Sequence, residues 1–169
     1  NPNVAILSGD VMLVQAYQQM CKSPSTQLPK ILQVFNRTAV EVCEGQQLDM
    51  NFEKRDDVTI AEYLEMIRLK TAVLLGCSLK VGALVGGADD AQAELLYQYG
   101  VNMGMAFQIQ DDILDAYGNA DKVGKQKGGD IIANKKTYLL LKAFERADEQ
   151  QHQELEGWLM TDVAPTKKV

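Results

Sequence analysis

Phe107-Gln108-Ile109-Gln110-Asp111-Asp112-Ile113-Leu114-Asp115 lies near the end of an apolar run from Ala91 to Tyr117 that contains no proline and is stopped by Gly118. The run reads as one helix. On a helix, Gln108, Asp111, Asp112 and Asp115 fall at i, i+3, i+4 and i+7 and share a face. Three costs coincide there. Aspartate is a mediocre mid-helix residue, carboxylates at i, i+4 repel each other, and a helix C-terminus disfavours anions. No Lys or Arg occurs between Val81 and Asp121, so such a face needs a cation from elsewhere. Clustered carboxylate oxygens suit a hard divalent ion, Mg²⁺ or Ca²⁺. The competing reading is a solvated acidic helix end.

Working outward from this segment, the rest of the chain is also helical in pattern. Val4 to Lys22 reads as a helix, broken by Ser23-Pro24-Ser25-Thr26. A second helix runs from about Pro29 to Met50, with the proline suited to its first turn. Asn51 to Val58 is a charged connector. Thr59 and Glu62 have capping-box spacing and open a helix that continues to about Val85. Gly86-Gly87 stops it, and Asp89 or Asp90 caps the aspartate-bearing helix. Gly118 to Asp130 reads as a loop, followed by two shorter helices, Lys136 to Ala147 and Glu149 to Met160. Strand alternation is absent, so the expected fold is all-α: a helical bundle around a central cavity.

The 169 residues allow one sizeable core and argue for a single domain. A net charge of -6 leaves no basic face for nucleic acid. The longest apolar stretch, Thr71 to Gly87, contains Lys80 and reads as core rather than a membrane span. Cys21, Cys43 and Cys77 are odd in number and lie in apolar helical patterns, so they read as reduced core residues of a cytoplasmic protein. The first residue is Asn1, with apolar periodicity already running at Val4. The chain is therefore expected to be part of a longer polypeptide, incomplete at its N-terminus and at its C-terminus.

Immediately after the lysine-free stretch come Lys122, Lys125, Lys127, Lys135 and Lys136, with Gly124, Gly128 and Gly129 among them. Glycines let a loop backbone approach an anion. The segment is not a P-loop, because Gly118 and Gly124 are spaced one residue too far and Gln126 follows Lys125. It is not an EF-hand, because Ala120 stands where that loop needs glycine. Alone, it reads as a solvated loop; beside a carboxylate cluster it suggests a phosphorylated ligand bridged by metal. Lys70 lies near an apolar stripe, where a snorkelling lysine is the bland account. Gln46 and Asp49 sit at i, i+3 beside core residues, a pattern that an interior hydrogen-bonded pair would also give. His152 is the only histidine and reads as a surface residue, which leaves zinc and Cys-His chemistry without support.

In combination these residues resemble the trans-isoprenyl diphosphate synthases, the polyprenyl synthetase family, over nearly the whole chain. Ala5 to Asp10 looks like the segment that follows that family's first aspartate-rich region. Gly45-Gln46-Gln47-Leu48-Asp49 is similar to its G-Q-x-x-D motif, Lys70-Thr71 to its K-T pair, and Phe107 to Asp115 to its second aspartate-rich motif. Gly124-Lys125, Gly129-Asp130 and Asn134-Lys135-Lys136-Thr137 resemble the motifs that follow. The family's first aspartate-rich motif and its flanking basic residues have no counterpart here. The chain alone is accordingly expected to be inactive.

The resemblance implies a prenyltransferase, usually a homodimer, that joins isopentenyl diphosphate to an allylic diphosphate and uses Mg²⁺. It implies metal-site roles for Asp111 and Asp115, with Asp112 and Asp130 orienting bound water. Gln46, Asp49, Lys70, Lys125 and Lys135 would bind substrate, Asp49 by orienting Lys70. Lys70, Thr71 and Gln108 would act in catalysis, the last two by presenting dipoles to an allylic cation. Two rivals remain, a partner subunit that keeps the fold and a terpene-cyclase relative that shares the ionisation chemistry. A non-catalytic partner subunit would show eroded motifs, and these are intact. A terpene-cyclase relative would not need the Gly124 to Thr137 pattern in this form.

Overall fold

The computed structural model describes residues 1–118, 128–133 and 135–160. The described residues form helices and connecting turns, with no strand among them. Helix α1 spans Pro2–Met20 and α2 Leu28–Phe52. Helix α3 (Ile60–Ile67) runs through a π-helical turn (Arg68–Ala72) into α4 (Val73–Val85). Helix α5 is Asp90–Tyr117, followed by the short α6 (Gly129–Ile132), α7 (Tyr138–Arg146) and α8 (Glu149–Met160).

Local chemistry sets these boundaries. The Thr59 hydroxyl accepts from the Glu62 N–H, and the Glu62 carboxylate accepts from the Thr59 N–H, so the expected capping box opens α3. Asp89 caps α5 in the same way, with Gln92 returning the bond. Gly87, at φ 86, supplies the left-handed turn between α4 and α5. The continuous helix expected from Thr59 to Val85 is interrupted in its middle by the π turn. Part of the expected 118–130 loop is helical at α6. The helix expected from Lys136 begins at Tyr138, where the Thr137 hydroxyl accepts from the Leu140 N–H.

Packing centres on the α3–π turn–α4 helix, held between α2 and α5. Gly76 on α4 meets Gly100 on α5 so closely that a Cβ on Gly100 would lie 2.8 Å from the Gly76 Cα. One core cluster gathers Phe52, Val58, Tyr63, Met66 and Ile67, with Tyr138 and Leu141 of α7 against it. A second, at the far end, gathers Ile31, Leu84 and Ala93. Helix α1 buries none of its residues. It meets α2 through an edge-on Tyr17–Phe35 pair and a 2.6 Å bond from the Tyr17 hydroxyl to Asn36. The expectation of three core cysteines is corrected: Cys77 is buried, but Cys21 and Cys43 are exposed, Cys21 because it follows the end of α1, a helix that buries none of its residues.

Candidate active site

The aspartate face of α5 turns toward the first core cluster, and its carboxylates meet different fates. Asp112 is buried, 5% exposed. Its Oδ2 accepts from the Tyr63 hydroxyl at 2.5 Å and from the Tyr138 backbone N–H at 3.1 Å. Burial, with the Asp112 carboxylate beside it, pushes the Tyr63 phenol far above its ordinary pKa, so it stays a donor. Asp115 is also buried. Its Oδ2 accepts the Asp130 N–H at 3.1 Å, and its carbonyl accepts the Gly128 N–H at 2.8 Å. Gly128 stands at φ 73, a backbone that side-chain-bearing residues adopt rarely. This is how α6 is tied to the end of α5.

Asp111 and Asp130 instead face a cavity of about 250 Å³, as do Asp49, Lys70, Gln108 and Lys135. Asp112 and Tyr63 form part of the same wall, and Phe52, Met66 and Ile67 supply the apolar part. Lys70 reaches across from the π turn to Asp49 on α2, Nζ to Oδ2 at 2.6 Å. The Thr71 hydroxyl donates to Gln108 Oε1 at 3.3 Å. Lys135 Nζ lies 3.8 Å from Asp130 Oδ1. Burial, followed by the charges of Asp115, Asp112 and Asp111, pushes the Asp130 carboxyl above the usual carboxylate range against the pull of Lys135.

Most of the residues named from the sequence therefore meet in one place. Gln46 does not, since it is exposed and outside the cavity wall. Asp115 and Thr71 sit behind the wall rather than on it. Lys125 and Asn134 lie outside the described residues. Tyr63 and Tyr138 were missed. A tyrosine on the apolar stripe formed with Met66 and Ile67 was the available signal for the first, because a buried phenol needs an acceptor. The Tyr138 contact is through backbone and carries no residue-type signal.

Among the described residues, no three His, Cys, Asp or Glu side chains converge as a ready metal cage. The donor set still fits Mg²⁺, which keeps waters and takes only one or two carboxylates beside substrate phosphates. The like charges that raise Asp130 are what a bound cation would offset. A larger cavity, about 800 Å³, opens between the start of α3 and helices α7 and α8. None of the site residues named from the sequence lines it, although His152 does, beside Phe144 and Glu156.

The polyprenyl synthetase family profile matches residues 1–169. The chain is 44% identical over 141 residues to a geranylfarnesyl diphosphate synthase of Natronomonas pharaonis, covering 82% of this chain and 41% of that protein. It is 43% identical over 147 residues to a geranylgeranyl pyrophosphate synthase of Geoglobus acetivorans, covering 86% of this chain and 46% of that one. The crystal structure of a geranylgeranyl pyrophosphate synthase superposes with a TM-score of 0.88 at 50% identity, over 94% of this chain and 48% of the other. A geranylgeranyl pyrophosphate synthetase from Pyrococcus horikoshii gives 0.83 at 37% identity, over 95% and 52%. The chain thus spans about half the length of the relatives it matches. With its helical fold, its clustered motif residues and a profile match from end to end, the chain belongs to the polyprenyl synthetase family.

Proposed function

We propose that this chain forms half of the reaction cavity of a Mg²⁺-dependent prenyltransferase, which lengthens an allylic diphosphate with isopentenyl diphosphate. The reading extends to a cytoplasmic homodimer and a single domain completed by further chain. The observation that carries it is the convergence of Asp49, Lys70, Gln108, Asp111, Asp130 and Lys135, drawn from four separate segments, on one cavity.

In this reading the allylic carbon–oxygen bond breaks, the allylic carbon bonds to the terminal carbon of isopentenyl diphosphate, and the departing diphosphate takes the proton then lost. Asp111 and Asp130 would hold Mg²⁺, which when bound neutralises the leaving diphosphate. Asp112 and Asp115 add a second role: their Oδ2 atoms accept from Tyr63, Tyr138 and Asp130 and so fix the wall that carries the other two. Lys70 carries three ammonium hydrogens, and one is engaged by Asp49. The other two are available to phosphate oxygens, with Lys135 and Lys125 adding positive charge. The Thr71 hydroxyl donates to Gln108 Oε1 and so orients the Gln108 carbonyl, which lines the cavity and can face an allylic cation. The apolar wall of Phe52, Met66 and Ile67 limits access of water to that cation.

The test is incorporation of labelled isopentenyl diphosphate by the full-length protein with Mg²⁺. Asp111→Ala should cut turnover by orders of magnitude and weaken Mg²⁺-dependent binding of the allylic diphosphate. Residues 1–169 alone should condense the substrates far more slowly than the complete chain. Near-normal turnover by Asp111→Ala would overturn the assignment.

A further inference from the structure

The π turn that bears Lys70 and Thr71 is held from both sides by glycines. Gly45 of α2 lies against one side: a Cβ there would overlap the Lys70 backbone nitrogen and stand 2.7 Å from the Leu69 carbonyl carbon. Gly104 of α5 lies against the other, where a Cβ would stand 2.6 Å from the Ala72 Cα. Both glycines are buried, and the atoms they meet are backbone or next to it. No side-chain rotation could therefore relieve an added methyl.

The same two helices supply the partners of the turn's side chains. Asp49, one helical turn beyond Gly45, takes Lys70. Gln108, one turn beyond Gly104, takes Thr71. A π turn widens a helix by one residue and interrupts its regular ladder, and such turns are frequent at functional sites. Here each partner helix contributes one glycine that sets its distance to the turn and one polar side chain that reads the result.

We propose that Gly45 and Gly104 are positioning residues. They act through Lys70 and Thr71 by letting α2 and α5 close on the π turn at the separation where those side chains reach Asp49 and Gln108. This rests on the prenyltransferase reading for its activity arm. Ordinary contact begins at 3.4 Å, so a methyl at Gly45 forces a displacement of about 1 Å, which at a reacting centre costs on the order of 100-fold in rate. The other glycine of α5, Gly100, is an internal comparison. Gly100 also leaves no room for a methyl, with a Cβ 2.8 Å from the Gly76 Cα, but it packs against regular α4 one turn away from the π turn.

The experiment uses full-length protein carrying Gly45→Ala, Gly104→Ala or Gly100→Ala, each assayed below its melting temperature. All three should melt earlier. Gly45→Ala and Gly104→Ala should also lose kcat by on the order of 10- to 100-fold more than Gly100→Ala. In a Lys70→Ala background, Gly45→Ala should add little further loss, the non-additivity expected of residues acting as one unit. Hydrogen exchange over residues 68–73 should quicken in the Gly45 and Gly104 variants more than in the Gly100 variant, whatever the reaction proves to be.

Should a methyl prevent folding, Ala72→Gly loosens the turn without a clash and should show the same kcat loss and faster local exchange. Equal kcat losses in the three alanine variants, or full additivity with Lys70→Ala, would overturn the proposal. So would unchanged exchange in Ala72→Gly. A protein with no prenyl transfer at all would refute the function, and exchange over the turn would still decide the role of the glycines.

Discussion

Replacing Tyr63 by phenylalanine removes one oxygen and little else. The ring stays in the cluster of Phe52, Val58, Met66 and Ile67, so no cavity term arises. What is lost is the 2.5 Å bond to Asp112 Oδ2. Tyr63 is 2% exposed and Asp112 5% exposed, so a replacing water could come only from the cavity they line. A hydrogen bond to a charged group contributes about 1.5–3 kcal/mol. The Tyr138 N–H remains on the same oxygen, which places the expected loss near the lower end, about 1.5–2 kcal/mol. Urea denaturation of the full-length protein, extrapolated to water, measures it. Asp112→Asn keeps an oxygen that can accept both bonds and should cost less, about 1 kcal/mol. With its donor gone, the carboxylate can turn, so Tyr63→Phe should lower kcat as well. A stability change within roughly 0.5 kcal/mol of wild type, the range of an inert surface substitution, would refute the claim that this bond holds Asp112 in place.

Three further outcomes are expected. Thr59→Ala breaks the capping box of α3 and should cost about 1 kcal/mol in denaturation, with kcat unchanged. Lys70→Ala leaves Asp49 without its cation and should weaken binding of a non-hydrolysable allylic diphosphate analogue, read by calorimetry; unchanged affinity would remove Lys70 from the ligand site. The Asp130 carboxyl titrates above the usual carboxylate range, so the folded state holds that proton longer than the unfolded one. The stability this brings is present below the unfolded pKa and lost as pH rises through the folded pKa. Thermal melts in chelator should show that loss, Asp130→Asn should abolish it, and Mg²⁺ should offset it.

The helices were legible because their signals are local. Thr59 with Glu62 and Asp89 with Gln92 are caps that a short window contains. The π turn was not legible, since the residues packed against it, Gly45 and Gly104, come from distant positions in the sequence. For the face of Asp111, Asp112 and Asp115 the charge pattern offers two ways to satisfy the carboxylates, a cation or solvent, and the structure adds a third. Two of the carboxylates are satisfied by a phenol and backbone N–H groups from other helices. Exposure of Cys43 escaped the sequence for a related reason: an apolar pattern marks a helix, but which side is covered depends on its neighbours.

The two bonds on Asp112 also say something about the order in which the molecule assembles. One closes a loop of 49 residues and the other a loop of 26. Helices form within about a microsecond, whereas these closures wait until α3, α5 and α7 have found each other. Loop-closure entropy is already spent before either bond rewards it. Contacts made that late belong to the native side of the folding barrier. We therefore expect Tyr63→Phe to steepen escape from the native state and to leave the rate of return almost untouched. In stopped-flow experiments the unfolding limb should move and the refolding limb should not. On that account the aspartate site is a latch, closed last, that determines how long the finished fold persists.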